Sequence, residues 1–218
     1  MKIVRAVLTL SVALALAACA GAPETTLGAP SAASVTPEED RAPSSGAVGT
    51  APGADLGDVV SDPLLDVLGV EGLTGRQIVD HLEAVALTER RVDVMASVRP
   101  RELVVSDTER EVAVPLPEDL FYVSLAPFRS ATHECFYHSL TTCQGELAGE
   151  ALEVRITTTT GEVLLEGEVR TADNGFAGFW LPRGARGTIE LSHEGRSATY
   201  EFTTDDDAPT CVTTVELV

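Results

Sequence analysis

Leu152-Glu153-Val154-Arg155-Ile156-Thr157-Thr158-Thr159-Thr160-Gly161-Glu162-Val163-Leu164-Leu165-Glu166-Gly167-Glu168-Val169 reads as two strands and the turn between them. Leu152 to Thr158 and Val163 to Val169 carry Val, Leu, Ile and Thr, which suit a pleated, half-buried surface, and Thr160-Gly161 is the break. Working outward, the same rhythm continues. Phe121 to Ala126 lies upstream, and Phe176 to Leu181, Thr188 to Ser192, Ala198 to Phe202 and Cys211 to Leu217 lie downstream. Asp173-Asn174-Gly175, Gly184 to Gly187 and Glu194-Gly195 separate them, and both Asn174-Gly175 and Glu194-Gly195-Arg196 fit tight hairpins. Strands at this spacing predict an antiparallel sandwich over residues 118–218. Trp180, Phe176 and Phe179 are expected to be packing aromatics.

Residues 61–117 read differently. Thr74-Gly75-Arg76-Gln77 matches a capping box, in which Thr74 and Gln77 satisfy free amides reciprocally. Ile78, Leu82, Val85 and Ala86 follow at helical spacing, which predicts a helix from Gly75 to Leu87 with one buried face and His81 beside it. Val92 to Val98, Glu102 to Ser106 and Glu111 to Val114 read as short strands, the last two joined by the loop Asp107-Thr108-Glu109-Arg110. The fold class is therefore α+β: a small N-terminal helix-plus-strands region followed by an antiparallel β-sandwich-like C-terminal domain.

Residues 1–18 read as a lipoprotein signal peptide. Lys2 and Arg5 precede the apolar run Val7 to Ala17, and Leu16-Ala17-Ala18-Cys19 resembles a lipobox whose cysteine accepts the lipid. Residues 19–60 are Ala, Gly, Pro, Ser and Thr with acidic residues, a composition that buries too little apolar surface to order itself. They read as a lipid-anchored linker. The expected place is outside the cytoplasm, tethered to the outer face of the membrane or the periplasmic side of the envelope. There, disulfides are permitted. With 34 acidic against 15 basic residues the formal charge is −19, which argues against nucleic acid and anionic lipid as partners. No Ser/His/Asp arrangement, phosphate-binding glycine loop or carboxylate pair stands out, so hydrolase chemistry has no support.

The unusual chemistry lies in Thr132-His133-Glu134-Cys135-Phe136-Tyr137-His138-Ser139-Leu140-Thr141-Thr142-Cys143-Gln144-Gly145-Glu146-Leu147, with Cys211 further on. Three thiols cannot pair off completely. One reading is a structural disulfide plus a free cysteine, the bridge contributing about 2–4 kcal/mol. The other is a trigonal site of three thiolates, the soft donors that suit Cu(I). Zinc would need a fourth ligand, which His133 or His138 could supply. Spacing alone leaves the two readings level. His133 and His138 are expected to be accessory, and His193, in a turn, inert.

The same run, preceded by Ala126-Pro127-Phe128, resembles the CueP family of copper-binding periplasmic proteins. Asp173-Asn174-Gly175-Phe176, Gly178-Phe179-Trp180-Leu181-Pro182 and Thr210-Cys211-Val212-Thr213-Thr214 extend the likeness. The resemblance covers roughly residues 63–218. It implies a protein of copper tolerance that holds Cu(I) through three cysteines, here Cys135, Cys143 and Cys211, and buffers it or passes it to an acceptor in the envelope. It also implies a smaller N-terminal domain, and it leaves room for a homodimer. The lipobox and long linker depart from a freely soluble periplasmic protein. Two further readings are carried forward: a thiol-dependent Cu(II) reductase, and a disulfide-stapled β-sandwich module that binds no metal. No catalytic residue is assigned.

Overall fold

The computed structural model describes residues 58–218. The expected signal peptide, Cys19 and the expected linker through residue 57 lie outside the described residues. Two helices come first, α1 (Pro63–Val67) and α2 (Gly75–Ala84), followed by a short 3-10 turn at Leu87–Glu89. Asp62 caps α1 by accepting from the Leu64 amide at 2.9 Å. The Thr74–Gln77 capping box at α2 closes in both directions. Helix α2 stops at Ala84 rather than running to Leu87, because Val85 turns extended. The Arg90 guanidinium satisfies the end of the helix, donating to the Val85 and Glu83 carbonyls at 2.9 Å each.

Eleven strands follow: β1 (Met95–Val98), β2 (Glu102–Ser106), β3 (Glu111–Pro115), β4 (Leu120–Leu125), β5 (His138–Ser139), β6 (Ala151–Thr158), β7 (Val163–Arg170), β8 (Ala177–Pro182), β9 (Arg186–His193), β10 (Arg196–Thr203) and β11 (Cys211–Val212). They form three sheets, ordered β3-β2-β1-β5, β10-β9-β6-β7 and β11-β4-β8. Every pairing is antiparallel except β11 beside β4. The chain is thus an N-terminal helical element followed by a mostly antiparallel, multi-sheet β-domain.

The sandwich core lies between the second and third sheets. Phe121, Val123 and Leu125 of β4 meet Val154 and Ile156 of β6 and Ile189 of β9 in one buried cluster. Strand alternation sends the other side of β4 elsewhere: Tyr122 joins Leu64, Leu65, Ile78 and Leu82 of the helices. The three-stranded sheet is therefore covered on both faces, and α2 reaches its outer one.

Two strand expectations change. Cys211 to Leu217 is a strand only over Cys211–Val212, with one further bridge from Glu216 to Phe128. Asn174-Gly175 is a turn but not a hairpin, since β7 pairs with β6 while β8 pairs with β4. The turn carries the chain from one sheet to the other. Glu194-Gly195 does close a two-residue hairpin, with His193 opposite Arg196 and both turn residues at positive φ (48° and 79°).

Candidate metal and thiol site

The loop from Cys135 to Cys143 is fastened at its middle. His138 and Ser139 form β5, pairing with Val98 and Ser97 of β1. Thr210, next to Cys211, clamps this region to the sheet: its hydroxyl donates to the Val98 carbonyl at 2.6 Å and accepts from the His138 amide at 3.0 Å. The amides of Thr210 and Cys211 both donate to the Phe136 carbonyl. These bonds carry Cys211, paired beside Ser124 of β4, up to the loop. On the far side, Gly145 packs against the Asn174-Gly175 turn. A side chain at Gly175 (φ 79°) would sit 2.6 Å from the Gly145 carbonyl, so both positions need glycine.

The three sulfurs do converge, but not as three thiolates. Cys135 and Cys211 form a disulfide across 76 residues, with their Cα atoms 5.6 Å apart. Cys143 is the free cysteine among the described residues, its Sγ 3.5 Å from that of Cys135. This corrects the expected three-thiolate Cu(I) site. A sulfur committed to an S–S bond has lost the charge and lone-pair strength that make thiolate a soft-metal ligand. Of the two cysteine readings that spacing left level, the staple plus a free thiol is the one the chain adopts.

Two donor clusters nevertheless come together, His133/Cys135/Cys143 and His138/Cys143/Cys211, each with its donor atoms within 4.8 Å of one another, and with the disulfide closed each offers Cys143 and one imidazole. Cys143 is common to both. His133 is exposed at the mouth, its ring edge-on to Phe176 at 6.3 Å. His138 is wholly buried, stacked obliquely on Phe176 at 4.5 Å. His81 lies exposed on α2. His193 is buried rather than an open turn residue, with Nδ1 3.0 Å from the Ala151 carbonyl oxygen.

Sequence reasoning missed Glu83. Its Oε2 lies 2.8 Å from His138 Nε2 and accepts from the Tyr122 hydroxyl at 2.7 Å, while Oε1 accepts from Asn174 Nδ2 at 2.7 Å. Burial opposes charge on both partners, but their mutual attraction wins. The His138 charge, with help from Tyr122 and Asn174, takes the Glu83 carboxyl down to about 2. Glu83 and the Cys143 thiol raise the imidazole to about 9. Burial would push Cys143 up, yet His138 and the Ser139 amide, donating to Sγ at 3.3 Å, hold it below the usual thiol value. The available signal was position: Glu83 follows buried Val79 by four residues, on the face that carries Ile78 and Leu82.

A small α+β protein with a stapled sulfur-histidine cluster at a sheet end is the class that fold and site define. The family model described as periplasmic copper-binding protein CueP matches residues 77–216, and the chain belongs to that family. A solved structure described as the crystal structure of S.CueP is 38% identical, covering 73% of this chain and 99% of that one, with a TM-score of 0.68. No curated protein matches the chain.

Proposed function

We propose that the protein is a disulfide-stapled copper-binding module of the bacterial envelope, in which Cys143 is the one thiolate donor and imidazoles complete the set. The observation that carries this is the membership of Cys143, the free thiol, in both candidate groups. A thiolate with His133 or His138 is a borderline-soft set that suits copper and tolerates zinc. Copper is preferred because the family's description names it. The disulfide then serves as scaffold, fixing the loop against β11.

Titration with Cu(I) under a competing chelator tests the reading. Cys143→Ser should weaken binding at least about 100-fold, on the scale of losing a direct ligand. The double variant C135S/C211S should stay within about tenfold, provided circular dichroism shows it folded. Equal loss in both variants would refute the assignment.

The Cys135–Cys211 bond favours a second reading. A disulfide is the product expected when two thiolates each pass one electron to Cu(II), giving two Cu(I), and a thiol donor would reset it. Steady Cu(II) reduction that depends on such a donor, and stops in Cys135→Ser, would support it.

Anchoring through Cys19 belongs to the same proposal, supported by Leu16-Ala17-Ala18-Cys19 after an apolar run. Among the described residues no helix is long and apolar enough to cross a membrane. A metal-accepting envelope protein is the partner this placement calls for.

A further inference from the structure

Helix α2 and the segment around β5, distant in the chain, bring one carboxylate, one imidazole and one sulfur into series. Glu83 enters from α2 with its side chain only 12% exposed, and both of its oxygens accept hydrogen bonds. Its partner His138 is fully buried, with Nε2 turned to Glu83. Nδ1 is thus the remaining ring atom, and it is buried with no hydrogen-bond partner. The imidazole lies within 4.8 Å of the sulfurs of Cys143 and Cys211. Beyond Cys143 stands the disulfide, whose Cys135 sulfur lies 3.5 Å from Cys143 Sγ. Cys135 is also half-open, whereas Cys211 is packed with Ala126 and Phe176.

We propose that this disulfide migrates: Cys143, activated by Glu83 through His138, swings into line with the Cys135–Cys211 bond, attacks Cys135 and releases Cys211. The step balances within the chain. A bond forms between the sulfurs of Cys143 and Cys135 while the Cys135–Cys211 bond breaks, and its electron pair leaves on Cys211 Sγ. Cys143 attacks as the thiolate of a pair with the His138 imidazolium, and that imidazolium gives its Nδ1 proton to the departing Cys211, leaving a neutral ring. No oxidant or reductant takes part. A carboxylate behind an imidazole fixes which ring nitrogen faces the sulfur, so Glu83 is a positioning residue and Cys143 the nucleophile.

The consequence falls on the same thiol as the reading above and deepens it. Before migration, Cys143 is the available donor at the half-open mouth. Afterwards Cys143 is bonded to Cys135, and the free sulfur is Cys211, buried beside His138. Migration therefore withdraws the accessible donor and would release its metal.

The test needs no metal. Chelator-treated protein held at pH 4, where thiol exchange is slow, is jumped to pH 8, quenched in acid, alkylated under denaturing conditions and mapped by peptide mass spectrometry. Each cysteine, Cys19 included, is read separately. Migration is expected to give a growing population with Cys211 alkylated and Cys135 linked to Cys143, reaching at least about a twentieth of the chains. Alkylation confined to Cys143 at all times would overturn it, and this wild-type result requires no variant. In Glu83→Gln the rate should fall about tenfold, and the pH of half-maximal Cys143 alkylation should rise by about one unit. An unchanged rate and profile would remove Glu83 from the account, and if E83Q does not fold, His138→Gln is read the same way. Because copper is absent, failure here leaves the copper reading standing, and failure of copper binding leaves migration standing.

Discussion

The two sheets of the sandwich are built to different ends. The outer one, β10-β9-β6-β7, turns one face to solvent and is made of neighbours in the chain, with β6–β7 and β9–β10 joined by short turns. Its exposed face carries ion pairs such as Arg155–Glu166. The inner one, β11-β4-β8, is covered on both sides and draws its strands from across the domain. Of these two, it is the inner sheet that touches the sulfur site: Cys211 lies on β11, Tyr122 on β4, and Asn174 just ahead of β8. The outer sheet supplies core and shape, whereas the inner sheet sets positions for chemistry.

Substitutions should separate the two. The largest expected loss is from Phe121→Ala, which removes a fully buried ring from the shared core, at about 3–5 kcal/mol in urea unfolding. A loss under about 1 kcal/mol would mean the sheets do not share a core. The C135S/C211S variant should lose about 4 kcal/mol by the same measurement, since it opens a 76-residue link onto the inner sheet. Gly178→Ala should cost about 1–3 kcal/mol, because the new carbon would lie 2.6 Å from Tyr122 Cζ and push that hydroxyl off Glu83. It should also raise Cys143 reactivity thresholds in alkylation, which an outer-sheet change would not do.

pH sharpens the contrast further. His138 is raised to about 9, so its contribution is complete below the unfolded value near 6.5 and is lost as pH climbs through about 9. Glu83 is lowered to about 2, so its contribution is present above the unfolded value of 4.5 and is lost as pH falls through about 2. Metal-free stability should therefore be greatest between those limits and should fall from pH 7 to 9. In His138→Gln that alkaline fall should flatten, as followed by thermal melting. Smallest of all, Glu166→Gln breaks an exposed ion pair on the outer sheet and should change stability by no more than about 0.5 kcal/mol.

What was readable in the residues follows the same division. The hairpins of the outer sheet announce themselves through local turns, and Glu194-Gly195 closes as expected. The Asn174-Gly175 turn was equally visible, but a turn says nothing about which sheet receives the next strand. Cys211 to Leu217 reads as one strand, yet its pairing is limited by β4, which ends at Leu125. Cys135, Cys143, His133 and His138 stood out by type and spacing. Which two sulfurs bond did not, because three pairings are consistent with the spacing and β11 makes the choice. Glu83 lies 55 residues from His138 and resembles any acid on an amphipathic helix until β4 and β5 close over it.

The number of sulfurs that copper touches tests the account most directly. X-ray absorption at the copper edge, on protein loaded with one ion and mapped afterwards for its disulfide, would count them. The prediction is one sulfur with nitrogen neighbours, and Cys135 still bonded to Cys211. Three sulfur neighbours, with every cysteine of the site reduced, would contradict it.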